Sequence, residues 1–383
     1  MTTTTNVSAH DPSRTSHRTS TRAAFFIAGF GMAAWAPLVP FARDRAHLDD
    51  ASLGLLLLCL GVGSILAMPA SGFLAARYGC RAVIVTASVL ICGVLPLLAS
   101  VSQPLPLAAS LFLFGAAVGT VDVTVNVQAV IVEKASGRTL MSGFHGFFSL
   151  GGIAGAAMVS LALWSGLSPS AAALACVLVI MLLLLLGIPG LLPYGGEPGS
   201  NPFVLPRGPV WLLGALCFIS SLAEGSMIDW SALFLRASRG VEPAQAGLGY
   251  AAFAVTMTLG RLNGDRIVRG LGNMTVLVAS GLVAAAGFLV AVVVPFANVT
   301  LLGFALVGLG ASNVVPILAS ASGRQSVMPA NLAVSATLSM GYAGILAGPA
   351  LIGFVAQLTS LPAAFIVVAA MLLLISVSAR RVS

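Results

Sequence analysis

The sequence predicts an all-α membrane protein of twelve transmembrane helices, arranged as two pseudo-symmetric six-helix bundles. Three observations predict it. Hydrophobic residues make up 58% of the 383 residues and charged residues only 8%, against roughly 25% charged in a soluble domain. Long apolar runs recur along the chain. A stretch rich in Pro and Gly divides it nearly in half. Length alone would accommodate two or three soluble domains, but a soluble chain of this composition would lack the polar surface to stay in water.

A hydrocarbon core of ~30 Å is crossed by roughly 20 helical residues. Runs of that kind lie at 23–42, 52–75, 81–100, 106–131, 140–164, 168–191, 209–235, 243–267, 274–295, 298–321, 330–357 and 361–379. Turn signals such as Tyr78-Gly79, Gln103-Pro104, Ser168-Pro169, Gly270-Leu271-Gly272 and Pro329 separate them. Continuous apolar runs exclude the alternating pattern of a transmembrane barrel.

The domain reading follows. Residues 1–22 are polar and are expected to be a disordered cytoplasmic tail. A signal peptide is not expected, because the next apolar run is too long for one. An N-terminal bundle covers 23–191, a cytoplasmic linker 192–208, a C-terminal bundle 209–379 and a short cytoplasmic tail 380–383. The linker holds Pro193, Gly195, Gly196, Pro198, Gly199, Pro202 and Pro206.

The net charge of +7 sits in short segments between apolar runs. A nucleic-acid partner is not expected, since binding would need one clustered basic face. The charges act instead as a topology signal. With the N-terminus inside, the cytoplasmic side holds Arg14, Arg18, Arg22, Arg77, Arg81, Lys134, Arg138, Arg207, Arg261, Arg266, Arg269, Arg324, Arg380 and Arg381. The outer side holds only Arg43, Arg45, Arg236 and Arg239. Both termini are therefore expected in the cytoplasm, in the inner (plasma) membrane of the cell.

Five cysteines are present, Cys59, Cys80, Cys92, Cys176 and Cys217, without a CxxC or Cys/His cluster. They read as small core side chains, and no metal or other cofactor is expected. GxxxxGK[ST], GxSxG and HExxH are all absent from the sequence, so neither an ATPase nor a hydrolase is expected.

The two halves look related. Gly72-Phe-Leu-Ala-Ala-Arg77-Tyr-Gly79 follows span 2, and Gly264-Asp265-Arg266-Ile-Val-Arg269-Gly-Leu-Gly272 follows span 8. Span 4 carries Gly115, Gly119, Asp122 and Asn126; span 10 carries Gly303, Gly308, Gly310 and Asn313. Two such halves suit a rocking alternating-access transporter.

These two loops resemble the major facilitator superfamily loop signature, G-x-x-x-D-R-x-G-R-R or its shortened forms. The resemblance covers the whole chain and implies that superfamily's fold. In the first loop the expected acid is Ala76, which leaves Arg77 and Arg81 to find other partners or to stay solvated. In the second, Asp265 stands with Arg261, Arg266 and Arg269, so a charged gate latch is assigned to that copy. Residues 119–156, GTVDVTVNVQAVIVEKASGRTLMSGFHGFFSLGGIAGA, and 223–236, AEGSMIDWSALFLR, further resemble the YbjJ-like branch near the fucose-permease group of sugar–proton symporters.

Ionisable groups within a span cost about 2.5–3.5 kcal/mol on insertion scales and are functional candidates for that reason. Glu224 in span 7 and Asp122 in span 4 are the proton-coupling candidates. A buried acid without a basic partner has a raised pKa and is able to carry a proton. The alternative is a local bond, to Ser220 or Ser221 for Glu224 and to a neighbouring helix for Asp122. Asn126, Asn313, Trp35, Trp230, Asp229 and His145 are substrate-cavity candidates. For Asn126, Asn313 and the nearby Gln128 the alternative is bundle cohesion; for the tryptophans it is interfacial anchoring. No Lys or Arg is read as comparably deep, so neutral or cationic solutes are favoured over anionic ones.

The expected function is secondary active transport of a small neutral or cationic solute by a monomer, coupled to protons. Proton-driven efflux of lipophilic drugs or metabolites is the alternative. A non-transporting membrane sensor is a remote one, since it would call for a large soluble extension.

Overall fold

The structure, a computed structural model, describes residues 14–196, 205–242 and 245–382. Among these the chain is helical and contains no strand. The helices are α1 (Thr15–Ala34), α2 (Val39–Arg45), α3 (Asp50–Leu98), α4 (Pro104–Ser136), α5 (Met141–Trp164), α6 (Pro169–Gly187), α7 (Pro209–Arg239), α8 (Leu248–Leu271), α9 (Asn273–Val293), α10 (Ala297–Ala311), α11 (Val314–Arg324), α12 (Ala330–Leu358) and α13 (Leu361–Val382).

Local chemistry sets many of these ends. Pro104, Pro169 and Pro209 open their helices, where a missing N–H costs nothing. Ser168 and Asp49 cap α6 and α3 with their side chains. The Ser52 main-chain N–H donates to Asp49 at 2.8 Å and holds that carboxyl below the usual carboxylate range. Gly137 and Gly240 end α4 and α7 in the left-handed conformation.

Ten helical stretches among the described residues are long and apolar enough to cross a membrane. One, Ser52–Leu98, runs for 47 residues, about twice the ~20 that a crossing takes. The chain leaves helical geometry inside it at Gly79 (φ 84°, ψ 151°). Gly272, between α8 and α9, adopts φ 79° and ψ 155°. Side chains rarely tolerate these angles, so both copies of the repeated loop turn on glycine. The one long helix outside the ten is α8, which carries Arg261, Asp265, Arg266 and Arg269.

Polarity is inverted relative to a soluble protein. Helix α6 exposes Leu174, Leu178, Leu182, Leu185 and Leu186. Ser64, Thr124, Asn126, Gln128 and Ser226 are buried to 0% exposure, whereas Leu178 is 71% exposed. Water would penalise that arrangement; a bilayer favours it.

The described residues form two compact units, Met1–Leu140 with Phe147–Val204, and Met141–Gly146 with Leu205–Ser383. The same helix contacts recur within each. In the first, a Cβ at Gly115 on α4 would overlap the Leu60 carbonyl of α3. In the second, a Cβ at Gly308 on α10 would overlap the Phe253 carbonyl of α8. Gly151 and Gly155 of α5 press on the Phe26 and Phe30 carbonyls of α1, as Gly344 and Gly348 of α12 face those of Phe218 and Leu222 on α7. Two arginines repeat as well. Arg45 donates to the Leu98 and Val101 carbonyls, at 2.8 and 2.9 Å, closing the end of α3. Arg239 donates to Ala291 and Val292, at 2.7 and 2.9 Å, closing the end of α9. The second unit is also cemented by Phe365, stacked on Phe234 at 5.0 Å and edge-on to Phe288 at 5.2 Å.

The expected disordered tail needs correction over its described part. Helix α1 starts at Thr15, and His17, Ser20 and Thr21 are buried. Tertiary bonds outweigh the polar composition. His17 Nδ1 meets the Gly190 carbonyl at 2.7 Å, and Gln128 Nε2 donates to Thr21 Oγ1 at 2.9 Å. Residues 1–13 lie outside the described residues, as do 197–204 of the expected linker. The start of that linker is tied down: the Leu192 N–H donates to Gln128 Oε1 at 3.0 Å, and the Arg81 N–H donates to the Leu192 carbonyl at 2.7 Å.

Close approach predicts a specific sensitivity. Gly115→Ala and Gly308→Ala are each expected to cost roughly 1–3 kcal/mol by overpacking, read as a lower midpoint of thermal unfolding in detergent. Gly93→Ala, at a helical position with open space around it, is expected to leave the midpoint unchanged.

Candidate functional site

The site in the second unit begins with a proline. Pro316 has no N–H, and its ring clashes with a helical carbonyl four residues earlier. That carbonyl belongs to Ser312, and the helix breaks there: α10 ends at Ala311 and α11 begins at Val314. The freed Ser312 carbonyl accepts from Arg261 Nε of α8 at 3.4 Å. The other end of the same guanidinium, Nη2, reaches Glu224 Oε2 of α7 at 3.3 Å. Arg261 thus spans the helix break and the acid, with its side chain 7% exposed and that of Glu224 24% exposed.

The pairing corrects two expectations. Glu224 is not an acid without a basic partner, and a deep arginine does exist. An apolar span at 243–267 leaves Arg261 near its inner end among the loop charges. The helix runs from Leu248 to Leu271, which brings Arg261 to its middle. The signal available in the sequence was Pro316, whose missing N–H orphans the Ser312 carbonyl and calls for a donor beside it.

Other candidates gather around this pair. Asn313, buried at the break, donates from Nδ2 to Ser312 Oγ at 2.9 Å and to the Gly260 carbonyl at 3.4 Å. Its Oδ1 has no hydrogen-bond partner among the described residues and lies where a Cβ on Gly264 would be. His145 is buried at the start of α5, within electrostatic range of Arg261. Tyr250 of α8 is within range of both Arg261 and Glu224.

One turn along α8 from Arg261, the Asp265 carboxylate accepts the Gly143 N–H of α5 at 3.1 Å. Gly143 lies in the first turn of α5, where no side chain of the N-cap residue supplies a cap. Asp265 fills that role from another helix, and a helix N-terminus favours its negative charge. A Cβ on Gly143 would overlap it. Arg266 and Arg269 are exposed.

In the first unit Asp122 is half-buried on α4. Asn126 is fully buried and donates back to the Asp122 main-chain carbonyl at 2.9 Å. Gln128 is committed to Thr21 and Leu192. In the first loop, where Ala76 is the neighbour of Arg77, Arg81 donates to the Leu191 carbonyl at 3.0 Å just beyond α6. Arg77 is exposed and lies over the Tyr78 ring at 5.4 Å.

Trp35 is the C-cap residue of α1, and Trp230 lies within α7. Both indole nitrogens are buried without a hydrogen-bond partner among the described residues. Asp229 is exposed on α7. Among the described residues no group of His, Cys, Asp and Glu has metal-site geometry.

Comparison with known proteins places this geometry in context. Residues 23–337 match the family profile described as the Major Facilitator Superfamily. An uncharacterized MFS-type transporter of Yersinia pestis is 59% identical over 369 residues, covering 96% of each chain. The fold is similar to that of the Escherichia coli fucose:proton symporter, with a TM-score of 0.75 at 18% identity over 96% of this chain and 98% of that one. The human organic anion transporter MFSD10 also has a TM-score of 0.75, at 17% identity over 96% and 100%.

The Arg261 bridge predicts a non-additive mutant cycle. Arg261→Ala leaves Glu224 without its cation and Ser312 without its donor. The expected loss is toward the lower end of about 3–5 kcal/mol for a broken buried pair, because Glu224 keeps some exposure. Arg261→Ala added to Glu224→Gln is expected to cost less than the two separate losses combined, measured by unfolding in detergent.

Proposed function

Since this chain belongs to the major facilitator superfamily of transporters, we propose that it moves a small neutral polar solute by proton-coupled alternating access. The observation that carries this reading is the Glu224–Arg261 pair beside a broken helix. An intramembrane ion pair is costly and functional by default. Protonation of Glu224 removes half of the pair and releases the guanidinium, which gives a proton a means to bias one conformation over another. Paired, the two charges sum to zero, which suits a neutral solute better than a cationic one. Asn313, buried at the break with its Oδ1 unpaired among the described residues, adds a polar group beside the pair that a rearrangement of α10 and α11 would expose to a solute. Asp122 is the second proton candidate, half-buried on α4.

The same reading counts twelve spans. The 47-residue stretch broken at Gly79 provides two, and α8 counts as a span whose mid-helix charge is paired. The bundles are then 23–191 and 209–379, with 192–208 as the cytoplasmic linker. Both termini face the cytoplasm, since Arg and Lys remain concentrated on that side even with Arg261 removed from the loop charges. The protein acts as a monomer, and Asp265 on the first turn of α5 serves as the latch of one gate state.

Two measurements test the proposal. Purified protein is screened for thermal shifts with sugars, amines and drugs at two pH values, where a bound solute stabilises by mass action. The hit is then followed in proteoliposomes under an imposed proton gradient. Glu224→Gln with Asp122→Asn is expected to abolish uphill accumulation while counterflow exchange persists. Accumulation that survives both substitutions overturns proton coupling at these residues.

A further inference from the structure

A cleft of about 420 Å³ opens in the first unit, between both segments of α3 and α4. That volume lies within the ~300–1,000 Å³ of small-ligand sites. Its walls include Leu74, Tyr78, Val83, Leu90, Ala116 and Thr120. The lining is overwhelmingly apolar, and the Thr120 hydroxyl is already spent on the Ala116 carbonyl at 2.7 Å. The exposure of Tyr78 and Leu90 leaves the cleft open to the surroundings of the helices.

One end of the cleft is different. Tyr78 lies beside Gly79, where α3 leaves helical geometry, so this end sits at the level where the chain turns. Arg77 lies over the Tyr78 ring at 5.4 Å and is exposed. It has no acidic partner among the described residues; Ala76 stands where the loop signature carries an acid. An apolar slot with one uncompensated guanidinium at its interfacial end matches an amphiphile with an anionic head. Arginine donates to phosphate oxygens in a planar fork, and the bilayer supplies such molecules at high local concentration.

We propose that this cleft binds an anionic phospholipid, with an acyl chain along Tyr78, Val83 and Leu90 and the phosphodiester on Arg77. The lipid phosphate takes the place of the missing carboxylate and neutralises Arg77 when the chain is in a membrane. A basic residue near an anionic headgroup contributes about a fivefold preference.

The test uses the full-length protein, purified in detergent and analysed by native mass spectrometry after titration with phosphatidylglycerol or phosphatidylcholine. The wild type is expected to retain phosphatidylglycerol about fivefold better. Arg77→Gln is expected to bind both lipids equally, because the acyl slot remains. Thr86→Trp, which fills the cleft from its wall, is expected to lose both. Thermal unfolding of each variant shows whether it is folded, and a photoactivatable phosphatidylglycerol supplies a second readout, with cross-links expected on the peptides around Tyr78 and Leu90. Equal retention of the two lipids by the wild type overturns the proposal, as does an unchanged preference in Arg77→Gln. Cross-links that fall on a second copy of the chain, or a preference erased by free glycerol phosphate, overturn it as well. None of these readouts depends on transport, so a negative result leaves the transport reading untouched.

Discussion

Helices in a bilayer gain nothing by burying leucine against leucine, because lipid tails are as apolar as the side chains they would replace. Cohesion must come from close backbone approach and from bonds between helices. Glycine provides the first. Gly115 on Leu60 and Gly308 on Phe253 let neighbouring helices touch backbone to backbone. Any side chain at those positions would separate the helices. The bonds follow the same economy of polar groups. Ser64 Oγ donates to the Gly115 carbonyl at 2.7 Å, and Thr256 Oγ1 to that of Ala305 at 2.7 Å, each between helices already in contact.

The same solvent explains why charge is scarce and where it is spent. Arg45 and Arg239 are used at helix ends, where carbonyls lack helical partners. Arg81 serves the segment just beyond α6 in the same manner. Arg261 answers a different orphan, a buried carbonyl released at the α10–α11 break by Pro316. Its charge then has to be balanced, and Glu224 balances it. Proline, carbonyl, guanidinium and carboxylate form one dependent chain, so the candidate site is a consequence of the helix break.

The two similar loops share a backbone and differ in their charges. Gly79 and Gly272 keep the same backbone angles, so the turn is retained in both. The charges are not. Asp265 engages the first turn of α5, while Ala76 leaves its side of the repeat without an acid and Arg77 without a carboxylate. The same backbone turn thus serves two different sets of side chains.

Much of this was legible in the sequence, because the bilayer imposes a pattern on composition. Apolar runs of spanning length, the Pro/Gly-rich midpoint and the paired glycines follow from the thickness of the hydrocarbon core and the cost of exposed peptide groups. The candidates Glu224, Asn313 and His145 were visible as rare polar letters in apolar runs. What they touch was not. A shift of a few residues in the bounds of α8 takes Arg261 from the inner end of the expected span to mid-helix, and the tertiary contact with Glu224 is what pairs it. Composition also misjudged residues 15–22, whose hydroxyls and imidazole find partners on Gln128 and Gly190, far away in the chain. The sequence by itself determined which segments are long and apolar enough to cross a membrane, since that depends on local hydropathy. Only the tertiary structure decided which buried polar groups satisfy one another, since that depends on contacts between residues distant in sequence.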